Sequence, residues 1–176
     1  LGRKHIFAKF DPKKQDFNVK KTTTIFNKIN AKVLYIDIST YLTSLDVKKL
    51  RDSLHRDAVI IYDASHSLGL IMGGVFPSPF QQGADIICSN THKTFAGPQS
   101  GIILFKNKKF GKRANKKINT TFISSVNTAR LAVLSLSILE HSSFGKKYSK
   151  QIIANSIALA TALVKKGYEL RKINNG

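Results

Sequence analysis

"AVIIYDASHS", residues 58–67, decides the fold: an unbroken apolar run ends directly on Asp63 and passes into a short polar turn that holds His66. A strand with one wet face alternates apolar and polar residues. A continuous β-branched run reads instead as a strand covered on both faces. The same kind of run recurs at 33–38, at 84–88 and at 101–105. Between the first two, Asp46 suits a helix N-cap, and Val47, Leu50 and Leu54 follow along one helical face. Strands interspersed with helices place the chain in the α/β class, with a mostly parallel sheet and flanking helices. In such sheets ligands bind beyond the carboxyl ends of the strands. Ser39, Asp63, His66 and the turn Thr91-His92-Lys93-Thr94 all fall there.

Outward from that core, residues 1–32 are polar and lysine-rich, with a short helix expected over 22–30. A short apolar segment at 68–72 precedes a turn-rich stretch at 73–83. From about 128 the period becomes helical. Leu131, Leu134 and Ile138 mark one helix. Ile152, Ile153, Ile157, Leu159, Ala160 and Leu163 mark a second, closed by Gly167. No repeat, low-complexity linker or second domain is visible.

The composition, 42% hydrophobic and 22% charged over 176 residues, is that of a globular domain with a real core. No apolar run approaches the ~20 residues of a membrane span, and no secretory signal is legible at the start. The first residues, Leu1-Gly2-Arg3-Lys4, read as the interior of a longer chain. The single cysteine, Cys88, sits in a strand-like run and reads as a buried inert thiol in a reducing, cytoplasmic setting. No Cys/His cluster has metal-site spacing. The formal charge is +19, and seven cations crowd 106–117: Lys106, Lys108, Lys109, Lys112, Arg113, Lys116 and Lys117. Aromatic residues do not interleave with them in a stacking pattern, and no nucleic-acid motif is present, so no specific nucleic-acid partner is expected.

The turn around Lys93 calls for an explanation beyond surface charge. A lysine partly desolvated at a strand's end can become an amine nucleophile. An amine with a carboxylate from a neighbouring strand is what pyridoxal phosphate requires: one forms the Schiff base, the other keeps the pyridine nitrogen protonated. Blander readings stay open at this level, with Asp63 as a helix cap, His66 as a turn histidine and Lys93 as a solvated charge.

Residues 59–105, "VIIYDASHSLGLIMGGVFPSPFQQGADIICSNTHKTFAGPQSGIILF", closely resemble the cofactor-binding core of serine hydroxymethyltransferases. That family shows Asp-x-Ala/Ser-His-x-x-Gly-Leu, then Gly-Gly-Val-Phe/Tyr-Pro-x-Pro, Ala-Asp, and Thr-His-Lys-Thr-Phe/Leu-x-Gly-Pro, all present here in order. Upstream, Ile38-Ser39-Thr40-Tyr41 looks like the family's Ser-Ala-Tyr segment. The resemblance implies the major domain of a fold-type I pyridoxal-phosphate enzyme. Its motif core would span 33–105 and its helical part 127–170, with the N-terminal segment and C-terminal small domain absent from residues 1–176.

It further implies that Lys93 forms the Schiff base and that Asp63 faces the pyridine nitrogen. His66 would lie near the phenolic oxygen and Ser39 beside the same ring. His92 would tune substrate specificity, and Thr91 and Thr94 would support the turn. The implied reaction interconverts serine and glycine, passing a one-carbon unit to tetrahydrofolate. The implied partners are a small amino acid substrate and, at full length, a second subunit of a homodimer. Two departures bear on this. Gln99 stands where most members carry Arg. The family's glycine-bearing phosphate-side loop appears as Phe122-Ile123-Ser124-Ser125-Val126-Asn127-Thr128, leaving Ser125, Asn127 or Thr128 as side-chain donors in place of backbone N–H groups. A threonine aldolase or transaldolase-like relative is the alternative enzyme. A non-catalytic basic remnant of the fold is the alternative outside enzymes.

Overall fold

A computed structural model describes residues 5–11, 16–39, 41 and 44–170. Its centre is a four-stranded sheet of β3 (Val33–Asp37), β4 (Val59–Asp63), β5 (Ile86–His92) and β6 (Ala96–Phe105), in that spatial order. β3, β4 and β5 are mutually parallel, and β6 returns antiparallel to β5. A small antiparallel pair, β1 (Phe10–Asp11) and β2 (Asp16–Phe17), precedes it. Five helices complete the described chain: α1 (Val19–Lys28), α2 (Val47–Ser53), α3 (Leu68–Met72), α4 (Lys108–Thr121) and α5 (Thr128–Lys165).

Capping chemistry sets most helix starts. The side chains of Asn18, Asp46, Asn107 and Asn127 each accept a hydrogen bond from the backbone N–H three residues on, satisfying one of the orphan donors of the first turn. The expected cap at Asp46 is therefore present. The first helix begins at Val19, three residues before its expected start, because Asn18 supplies that cap.

The sheet buries one face. Leu34 and Ile36 of β3, Ile60 and Tyr62 of β4 and Ile87 of β5 gather with Phe26, Val47, Leu50, Leu68 and Phe95 into one apolar cluster. Burying each large side chain contributes roughly 1.5–3 kcal/mol. The opposite face is covered only in part: Ile86 of β5 is buried there, whereas Val33, Tyr35 and Ile103 are about half exposed. Coverage on both faces, expected from the unbroken β-branched runs, is found at β5, where Ile86 and Ile87 are both buried, and not at β3. Such runs report tolerance for burial, and the layer that realises it belongs to whatever packs there.

Arg51 ties the α2 end to the sheet. Its guanidinium donates to Gly83 O at 3.0 Å, Ala58 O at 2.9 Å and Asp85 Oδ2 at 2.5 Å, and the same carboxylate oxygen accepts from Ile60 N at 2.8 Å. This planar fork clamps the starts of β4 and β5 together.

Three further features of the elements are physical in origin. The strands around Lys93 are longer than their apolar runs, because backbone pairing carries β5 through Ser89, Asn90 and Thr91 to His92. The basic stretch 106–117 is mostly helix: α4 sets Gly111 against the Phe105 ring, with Phe110 edge-on to it, and turns its cations outward. The two expected C-terminal helices are one, α5, of 38 residues. Its polar middle is not a loop: Ser137, His141 and Ser149 are buried there, and Gly145 leaves room for the His141 ring. No helix among the described residues is long and apolar enough to cross a membrane.

Candidate active site

The carboxyl ends of β4 and β5 lie side by side, with Asp63 in register with Cys88. After Asp63 the chain turns sharply. Ser65 N donates to Asp63 Oδ1 at 2.9 Å, which fixes the carboxylate against the turn that presents His66. The other carboxylate oxygen, Oδ2, accepts the hydroxyl of Tyr35 from the neighbouring strand. Partial burial raises the pKa of Asp63, but the hydrogen bonds from Ser65 and Tyr35 and the charge of Lys93 outweigh it. The carboxyl is held below its ordinary range and is ionised at neutral pH.

Lys93 begins the tight turn between β5 and β6. Its Nζ lies 2.9 Å from His66 Nε2, so with the ammonium as donor that ring nitrogen accepts. With the Asn90 amide turned so that both its ends are paired, it accepts from Lys93 Nζ at 3.1 Å and donates to Ser65 O at 3.2 Å. The lysine is thus tethered by two polar side chains, one from each strand end.

Beneath the turn the packing leaves no slack. Thr94 Oγ1 donates to His66 O at 2.8 Å and receives Gly69 N at 3.3 Å. A Cβ on Gly69 would lie 2.1 Å from Thr94 O, so only glycine lets α3 approach the turn. The carbonyl of Gly69 accepts from both His141 Nε2 at 3.1 Å and Ser149 Oγ at 2.9 Å, two side chains of α5. The His141 ring also rests on Phe95, centroids 5.2 Å apart. Thr91 is fully buried and donates to Pro98 O at 2.6 Å across the hairpin. Lys93 is anchored from below by groups scattered over four elements.

The remaining sequence candidates separate. His92 is exposed at the end of β5. Ser39, just past β3, bonds Asp37 through both its N–H at 2.8 Å and its hydroxyl at 2.5 Å, and makes no hydrogen bond to Asp63, His66 or Lys93. Its neighbour Thr40 lies outside the described residues. Asn127 spends its side-chain oxygen on capping α5, while Ser125 and Thr128 are exposed. Burial pushes the Cys88 thiol up, in keeping with an inert cysteine. No group of metal-ligating side chains occurs among the described residues.

Sequence reasoning missed Tyr35, Asn90, Gly69 as a packing hub, His141 and Ser149. Tyr35 could have been found only from strand register, and His141 and Ser149 only from how α5 crosses α3.

The arrangement offers an amine positioned by a histidine and an amide, next to an ionised carboxylate on the adjoining strand. This donor set fits pyridoxal phosphate, which needs both groups. Residues 4–176 match the family profile of serine hydroxymethyltransferase. The chain is 35% identical over its whole length to a serine hydroxymethyltransferase of Staphylothermus marinus and 36% identical to one of Saccharolobus solfataricus. It spans 40% and 41% of the lengths of those relatives. Among solved structures, it superposes with a TM-score of 0.81 and 31% identity on an L-threonine transaldolase from Pseudomonas fluorescens in the internal aldimine state. That match covers 90% of this chain and 37% of the other.

Proposed function

This chain belongs to the serine hydroxymethyltransferase family, and from that premise we propose that it carries the lysine-bearing core of a pyridoxal-phosphate enzyme that interconverts serine and glycine. The observation that carries the reading is the pairing of a tethered Lys93 amine with an ionised Asp63 on the adjacent strand. Lys93 would hold the cofactor covalently, Asp63 would face its ring nitrogen, and His66 would stay close to both. When bound, the cofactor supplies an electron sink for charge developing on the substrate's α-carbon.

The protein's own groups orient and move protons. His66 and Asn90 would keep Lys93 near the site whenever its amine is not bonded to the cofactor, so it would not have to be recaptured from solvent. Asp63, ionised at neutral pH, would favour a proton on the ring nitrogen through charge attraction. His92, exposed at the end of β5, would tune substrate specificity, and Ser39 would lie beside the ring from the end of the neighbouring strand. Thr91 supports the hairpin from its buried side. In this reading the one-carbon acceptor is tetrahydrofolate, and the full-length enzyme is a cytoplasmic homodimer.

A second reading has support from Gln99 and from the superposition on an L-threonine transaldolase. In that case an aldehyde would take the place of tetrahydrofolate as the second substrate.

The test is site-specific fixation. The chain is treated with pyridoxal phosphate, then borohydride, and mapped by peptide mass. A stoichiometric adduct on Lys93 supports the reading; adducts spread evenly over the surface lysines, or none at all, defeat it. Glycine α-proton exchange with and without tetrahydrofolate separates the two enzymes.

A further inference from the structure

Tyr35 stands on the open face of the sheet, in the middle of β3, with its ring about half exposed. An isolated surface tyrosine would turn its hydroxyl to water. This one instead donates to Oδ2 of Asp63 on β4, with Cys88 Sγ 3.9 Å away on β5. Asp63 therefore has a donor on each oxygen: Ser65 N on Oδ1 and Tyr35 on Oδ2. Beside the Tyr35 bond Oδ2 keeps a further lone pair, with which it can accept from a ring nitrogen.

We infer that Tyr35 is a positioning residue for Asp63: its hydroxyl fixes the plane of the carboxylate and draws electron density from the oxygen that would face the cofactor's ring. The inference rests on the cofactor reading above only for its consequence, since the contact itself is a property of the chain. A hydrogen bond to an ionised carboxylate stabilises that form and makes it a weaker base. Tyr35 thereby sets how firmly the ring's proton is held, and so how strongly the ring withdraws charge.

The other groups facing Asp63 do not duplicate this. From β3, Asp37 lies in register with Asp63 and would raise its basicity, but its Oδ1 is engaged by Ser39. From β5, Cys88 is a thiol kept protonated by burial. From the turns, Lys93 acts through charge and is itself bonded to His66. Burial of the hydroxyl end and its bond to Asp63 raise the pKa of Tyr35, so it remains a donor across the working range.

The experiment uses the full chain without cofactor, labelled with 13C at the aspartate carboxyls. Asp63→Asn identifies the Asp63 resonance, and its titration midpoint is compared in the native chain and in Tyr35→Phe, which keeps the ring and the fold. The midpoint should rise in Tyr35→Phe. With 3-fluorotyrosine at position 35, a stronger donor on the same ring, it should fall below the native value. A purely structural tyrosine would move neither, and an unmoved or oppositely ordered series overturns the inference. With pyridoxal phosphate added, freeing Oδ2 should tighten binding in Tyr35→Phe by roughly tenfold, the equivalent of one hydrogen bond to a charged group. Weaker or unchanged binding overturns the claim that Tyr35 acts on the ring. If the midpoints move as stated and no preparation forms an adduct at Lys93, the contact stands and the cofactor reading alone falls.

Discussion

Lys93 Nζ rests 2.9 Å from Nε2 of His66, so the expected nucleophile is held by the turn after β4 as well as by its own hairpin. No ion pair joins Lys93 to Asp63, although the charge of the first helps to hold the carboxyl of the second low. The two groups stand at neighbouring strand ends, each held by its own partners: Lys93 by His66, and Asp63 by Ser65 and Tyr35.

Removing the tether should therefore slow chemistry at residue 93 without unfolding the chain. His66→Ala should lower the rate of pyridoxal-phosphate fixation at Lys93 by about tenfold, since a freely rotating lysine spends less time in the productive orientation. Lys93→Arg should abolish fixation there while keeping the positive charge. Peptide-resolved mass spectrometry measures both. Undiminished labelling in His66→Ala would remove His66 from the positioning role.

Gly69→Ala places a methyl group 2.1 Å from Thr94 O and 2.7 Å from Phe95 N, both backbone atoms with no freedom to yield. The variant should lose roughly 1–3 kcal/mol or more in urea unfolding. It should also label more slowly at Lys93, because α3 and the lysine turn must move apart.

His141→Ala removes a buried donor to Gly69 O and leaves a void beside Phe95. The expected loss is about 2–4 kcal/mol. His141→Gln, which restores a donor but not the ring, should recover part of it. Equal losses in the two variants would mean that ring packing alone matters at this position.

Asp63 makes acid stability informative. Its pKa in the fold lies below the ordinary value of 3.8, so its carboxylate stabilises the folded chain at pH above that value. The contribution fades as pH falls through 3.8 toward the folded value. The stability difference between the native chain and Asp63→Asn should accordingly shrink as urea midpoints are followed from about pH 6 down to about pH 2. Asp46, also lowered through its bonds to Lys49, acts in the same sense and is unaffected by that substitution.

Legibility followed the range of the interactions. The strands, the Asp46 cap and the Asp63 and Lys93 turns were readable because each depends on neighbours a few residues away. The break expected within α5 came from counting its polar middle as a loop. Ser149 and His141 look like surface residues in sequence, yet they are buried against a carbonyl 80 and 72 residues away. Coverage of both sheet faces holds at β5 and fails at β3 for a related reason: apolar side chains show what a surface tolerates, and coverage depends on what packs there.

By itself the sequence determined the α/β class, the four strands of the main sheet, and the lysine and carboxylate at adjacent strand ends. Local propensity, capping and apolar patterning act over short stretches of chain and leave their mark in the residues themselves. Only the tertiary structure decided that Tyr35 reaches Asp63, that His66 and Asn90 hold Lys93, and that α5 underpins the turn through Gly69. Those contacts depend on strand register and helix crossing, where a shift of one residue turns a side chain to the other face. That choice is made by packing of the whole, and no short stretch carries it.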